Sequence, residues 1–173
     1  MLTRAALFLA AYLLGSLPFA VIVSRALGLA DPRAYGSGNP GATNVLRSGN
    51  RKAAILTLIG DALKGSLAVI LVRQLGAPAA TIALCGLFAF LGHVFSVFLR
   101  FSGGKGVATA AGVLLAMNPL AGAVVLGIWI LVALTTRYSS AAALAAALAS
   151  PFVTNWLVAD PAWTGAVGVM AAI

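Results

Sequence analysis

Acidic residues are almost absent from this chain. Asp31, Asp61 and Asp160 are the only ones among 173 residues, against 11 Lys and Arg, and the net charge is +8. Charged residues of both signs make up 8% of the sequence, where a soluble domain carries about 25%. So few charges cannot clothe a water-facing surface, which excludes a soluble fold and leaves an integral membrane protein. A single cysteine, Cys85, excludes an internal disulfide and fits a small apolar core residue. A single histidine, His93, excludes a histidine cluster around a metal, so no metal and no cofactor are expected. The basic balance does not point to nucleic acid. There is no basic tail and no interleaving of aromatic with basic residues. Membrane proteins instead collect Lys and Arg in their cytoplasmic loops.

What the chain has in quantity is apolar: 62% of its residues are hydrophobic. The runs are rich in alanine, leucine and valine and lack the short alternation of barrel strands. Lipid requires backbone groups to pair within a segment, so helices are expected. The reading is an all-α, polytopic transmembrane bundle, one domain over 1–173, with about seven helices near 4–26, 53–75, 78–97, 105–118, 119–136, 138–158 and 162–173. Asn118-Pro119 separates the short fourth helix from the fifth. The seventh rises only ~18 Å against a ~30 Å hydrocarbon core, and is read as truncated. The first has a signal-like pattern in Arg4, Gly28 and Ala30, but its apolar stretch runs through Val23, so it is read as a retained span. With alternating helices, Arg25, Arg33, Arg47, Arg51, Lys52, Arg100, Lys105 and Arg137 share one side. That side is cytoplasmic by charge, with the N-terminus outside.

Two polar, glycine-rich segments interrupt the apolar runs on that side. The first, GSGNPGATNVLRSGNRK (36–52), matches G-x-G-x-x-G formally, but its flanks are membrane helices rather than the βαβ unit a dinucleotide site needs. What remains is physical. Glycines such as Gly38 and Gly41 let backbone amides approach an anion. Ser37, Asn39, Thr43 and Asn44 add neutral donors, and Arg47 offers a planar fork for phosphate oxygens. The second, SGGKGVAT (102–109), is not a Walker A loop, since Leu99 and Gly106 stand where that motif needs Gly and Ser or Thr. Gly103, Gly104 and Lys105 at the start of a helix still suit a phosphate, with Thr109 one turn further in.

Asp61 and Lys64, three residues apart, share a helical face about 12 Å into the second helix. Ionisable groups at such depth are costly and face the bundle interior. They are read as a supporting pair that holds the loop and tunes the field. His93 lies just before the second basic loop, on one face with Ser96 and Arg100, where titratable groups of a cleft concentrate. Ser139 and Ser140 follow Arg137-Tyr138, where a helix N-cap is the simplest reading.

Taken together, GSLPFA (15–20), GSGNPGATNVLR (36–47), GDALKG (60–65), GHVFSVFLRFSGGKGVAT (92–109) and RYSS (137–140) resemble the bacterial acyl-phosphate-dependent glycerol-3-phosphate acyltransferases. The resemblance implies a seven-helix membrane fold with its site open to the cytoplasm, in the bacterial inner membrane. It implies transfer of a fatty acyl group from acyl phosphate to the 1-hydroxyl of glycerol 3-phosphate, giving lysophosphatidate and phosphate. It places Ser37 and Arg47 on functional positions, Gly103, Gly104 and Lys105 on a glycerol-phosphate loop, and Ser140 on a polar site position. It also implies membrane lipid, and the enzyme that makes acyl phosphate, as partners. Two departures stand out. The family has proline where this chain has Ser96, a change expected to affect only a helix end. The family's third motif, with His, Asn and Glu in the last helix, is not in this chain, which is therefore expected to lack its C-terminal end.

The expected catalytic set is Ser37, Arg47, Lys105 and His93. Gly38, Asn39, Gly41, Thr43, Asn44, Gly103, Gly104, Thr109 and Ser140 are expected around the substrates. The alternative reading is a transporter or channel for a phosphorylated solute, which basic loops and intramembrane Asp61 and Lys64 would also suit. The one-sided gathering of polar groups and the lack of an inverted repeat weigh against it.

Overall fold

Proline sets the shape of the first membrane segment. The 4–26 run reads as one helix by hydropathy, but in the computed structural model, which describes residues 3–173, it is two: α1 (Arg4–Ser16) and α2 (Phe19–Ala26), bent by 42°. Pro18 has no N–H to continue the ladder, and its ring opposes the preceding turn. The carbonyls freed at the break find donors elsewhere. Ser96 Oγ donates to the Ser16 carbonyl at 2.6 Å, and Lys64 Nζ to the Leu17 carbonyl at 2.8 Å. Ser96 thus does more than end a helix: its hydroxyl joins two segments that are far apart in sequence.

The chain continues through α3 (Ala42–Leu46), α4 (Arg51–Gln74), α5 (Ala79–Val94), α6 (Val107–Met117), α7 (Pro119–Thr136), α8 (Ser139–Val158) and α9 (Pro161–Ala172). There is no strand among the described residues. The starts of three of these helices follow from side-chain chemistry. Asn50 accepts from the Ala53 amide before α4, Asn118 from Leu120 and Ala121 before α7, and Asp160 from Ala162 and Trp163 before α9. Pro119 and Pro161 occupy first helical positions, where the missing N–H costs nothing.

Helices approach closely where small residues meet, as in membrane bundles generally. A side chain on Gly15 would collide with the Ala89 carbonyl, joining α1 to α5, and one on Gly112 with the Ala62 carbonyl, joining α6 to α4. Cys85 is fully buried in the main core, as its apolar surroundings in the sequence suggest. Phe152 and Trp156 on α8, 78% and 80% exposed, face outward as lipid-facing residues do.

About seven helices are expected from hydropathy, the fourth short and the seventh too short to span. The structure has four helices long and apolar enough to cross a membrane, or five counting the bent pair. The two that fall short are α9, whose 12 residues rise about 18 Å, and α6, whose 11 rise about 16 Å. Its register explains the length. Thr109 Oγ1 donates to the Asp61 carbonyl, Ser66 Oγ to the Gly112 carbonyl, and Arg73 to the Met117 carbonyl. Residue numbers rise together, so α4 and α6 run parallel. The start of α6 lies level with Asp61, about 15 Å along α4 from its first residue. The segment before α6 is therefore sunk into the bundle.

Lys64→Met should destabilise the fold by about 3–5 kcal/mol, because it leaves the buried Asp61 carboxylate without its cation. The double replacement Asp61→Leu/Lys64→Met should lose much less. Chemical unfolding in detergent micelles measures both, and equal losses would contradict this account of the break. Ser96→Ala should cost about 1–3 kcal/mol in the same measurement, by leaving a buried carbonyl bare.

Candidate active site

Asn44 organises the first glycine-rich loop. Its side chain is buried, with Oδ1 accepting from the Ser37 amide at 3.0 Å and Nδ2 donating to the Pro32 and Tyr35 carbonyls at 2.6 and 3.2 Å. Expected as a donor to ligand, Asn44 is instead committed to the loop. Its amide is a good ligand group and an equally good turn former, and here the turn takes it. Gly36 has φ 60°, and a Cβ there would collide with Asn44 Oδ1 and stand 3.1 Å from Arg47 Cδ. Arg47 therefore folds back over Gly36, beside Ser37. Both Arg47 and Ser37 are exposed, as are Gly38 and Thr43, while Asn39 and Gly41 are half-buried.

The entry to this loop is braced by charge. Arg33 pairs with Asp31 at 2.6 Å, and the side-chain hydrogen bond from Arg33 holds the Asp31 carboxyl down at about 2. Because the folded pKa is depressed, the brace is in place above the ordinary carboxylate range and is lost as pH falls through about 2. Arg33 is thereby neutralised, which leaves Arg47 as the exposed cation folded against the loop itself.

The second loop closes the end of α5. Gly103 N–H donates to the Val94 carbonyl at 2.9 Å and Gly104 N–H to the His93 carbonyl at 3.1 Å. These two amides are expected to face a phosphate, but the last carbonyls of a helix need donors, and the strap supplies them. Gly104 is required for a second reason: a side chain there would collide with His93 Nε2. Lys105, next along, is exposed. Thr109, expected to face the same ligand, is fully buried, and its hydroxyl goes to the Asp61 carbonyl.

Between the loops lies a group that the sequence reading divided into two. Asp61 and Lys64 are each 2% exposed and pair at 2.8 Å, while His93, 7% exposed, brings Nδ1 to 3.4 Å from the same Asp61 Oδ1. The Phe19 ring lies 5.9 Å from Lys64 Nζ, which adds a cation–π contact. A cleft with room for about one water (10 Å³) is lined by Pro18 at the helix break, Pro40 of the first loop, Gly104 of the second, and Asp61, Lys64 and His93. Both loops thus reach one cleft from one side.

Ser37, Arg47 and Lys105 do not line this inner cleft. Ser140 lies exposed in the first turn of α8 and does not line it either. Pro18 and Pro40 line it and were missed as site residues; a proline inside an apolar run and another within GSGNPG were the available signals. Lys64, expected as support, supplies the cation that lines the cleft.

The profile of the glycerol-3-phosphate acyltransferase family matches residues 5–173. A glycerol-3-phosphate acyltransferase from Dechloromonas aromatica is 56% identical over 161 residues, covering 93% of this chain and 81% of the relative. One from Ralstonia pickettii is 59% identical over 169 residues, covering 95% of this chain and 82% of the relative. Among solved structures, the crystal structure of PlsY, an integral membrane glycerol 3-phosphate acyltransferase, in its glycerol 3-phosphate form has a TM-score of 0.91 at 34% identity, over 98% of this chain and 85% of that one. The lysophosphatidic acid form of PlsY has a TM-score of 0.89 at the same identity. The transporter alternative finds no support among these relatives. With such likeness along nearly its whole length, the chain belongs to the glycerol-3-phosphate acyltransferase family and is an integral membrane acyltransferase of phospholipid synthesis.

Proposed function

We propose that this enzyme takes its acyl group from acyl phosphate and delivers it to the 1-hydroxyl of glycerol 3-phosphate in the bacterial inner membrane. The loops face the cytoplasm and the N-terminus lies outside, as the distribution of Lys and Arg favours. The observation that carries the reading is the cleft reached by Pro40 from one glycine-rich loop and Gly104 from the other, with the Lys64 cation inside. PlsY has been crystallised in forms with glycerol 3-phosphate and with lysophosphatidic acid, which supports the same acceptor and product here.

The donor is a mixed anhydride and is already activated. The acceptor hydroxyl attacks its carbonyl carbon, the bond from that carbon to the phosphate oxygen breaks, and the departing phosphate takes the hydroxyl proton. No nucleophilic triad is needed, and positioning with charge stabilisation supplies the rate. Lys105, Arg47 and Ser37 hold the glycerol 3-phosphate. Polar groups from Gly38 to Thr43 hold the acyl phosphate head, its tail lies between helices, and Ser140 contributes from the start of α8. Asn44 and Thr109 keep the framework that presents these groups.

Arg47→Ala should lower turnover by the equivalent of about 2–5 kcal/mol while the protein still inserts. Near-normal turnover at every substrate concentration would remove Arg47 from the site. Lys105→Ala should chiefly raise the KM for glycerol 3-phosphate, and an unchanged KM would count against that role. With radiolabelled glycerol 3-phosphate and acyl phosphate in reconstituted vesicles, the label should appear in lipid. Label trapped inside the vesicles, or left in solution, would overturn the proposal.

A further inference from the structure

We infer that Asp61 is the positioning residue for His93: it fixes the imidazole with its proton on Nδ1 and leaves the Nε2 lone pair turned to the glycine strap, as an acceptor for a hydroxyl of the bound polyol phosphate. This deepens the proposed function and rests on that reading of the cleft.

The geometry carries it. His93 Nδ1 is buried and has no hydrogen-bond partner apart from its approach to Asp61 Oδ1 at 3.4 Å. Two lone pairs facing each other between these buried atoms would be repulsive. A proton on Nδ1 turns the contact into attraction. In a neutral imidazole one nitrogen then donates and the other accepts, so Nε2 is the acceptor. Nε2 lies against Gly104 of the strap, where a side chain would collide with the ring. Asp61 itself cannot drift. Lys64 holds the carboxylate at 2.8 Å, and the Thr109 hydroxyl holds its backbone carbonyl at 3.0 Å. The acceptor nitrogen is thus aimed at the segment that carries Lys105, one residue beyond Gly104. Carboxylate partners set the tautomer of functional histidines elsewhere by the same logic.

His93 is the chain's one histidine, so histidine ¹⁵N resonances report it directly. The experiment uses the untagged protein, labelled with ¹⁵N-histidine, in lipid nanodiscs at about pH 8. The Nδ1 resonance should be that of a protonated nitrogen and the Nε2 resonance that of an unprotonated one. The reverse tautomer overturns the inference. In Asp61→Leu/Lys64→Met, which removes the acceptor without stranding a charge, the preference for Nδ1–H should disappear; an unchanged tautomer would show that Asp61 does not set it. Adding glycerol 3-phosphate to the wild-type protein should shift Nε2 and leave Nδ1 protonated. If Nε2 does not move in a preparation that makes acylated lipid, this inference falls and the acyltransfer reading stands. If no acylated lipid forms, the failure lies in the reading itself.

Discussion

One ammonium group ties the broken first segment to the polar cleft. Lys64 is held between the Asp61 carboxylate and the Leu17 carbonyl, each at 2.8 Å, with an aromatic face nearby. A charge of this kind could not remain in an apolar bundle alone; its neutralisation by Asp61 allows it to stay. The carbonyl at the break is served by the same side chain. Shape and chemistry are thereby coupled, because the residue that lets the first helix bend is also the cation inside the cleft.

The glycine-rich loops show a second constraint at work. Each must satisfy its own backbone before it can hold a ligand. The first does so around the Asn44 side chain, the second by donating Gly103 and Gly104 amides to the end of α5. The polar side chains left exposed on the two loops include Ser37, Thr43, Arg47 and Lys105. What the loops offer a ligand is therefore exposed cations and hydroxyls more than a nest of amides.

Much of this was legible in the sequence. The spans α4, α5, α7 and α8 follow from long apolar runs, and the starts at Asn50, Asn118 and Asp160 from ordinary capping chemistry. The break at Pro18 was not, because Leu17 and Phe19 continue the apolar run and mask it. The convergence of Asp61 with His93 was not either, since only the packing of α4 against α5 brings them together. Asn44 and Thr109 were assigned to ligand because residue type alone does not distinguish a group that binds from one that braces. Ser96 carried a signal, a hydroxyl at the end of an apolar run, but the carbonyl it serves lies in another helix.

The shortness of α6 has a consequence for how the substrates arrive. Because α6 begins level with Asp61, the strap before it lies well below the level at which α4 starts. In the acyl transfer proposed above, a water-soluble polyol phosphate would descend from the aqueous phase to that depth, while a fatty anhydride dissolved in the leaflet would come in sideways between helices. On that proposal the recessed strap is a meeting point of two phases, where a hydrophilic and a lipophilic reactant would share one address without either leaving its own solvent until the last few ångströms.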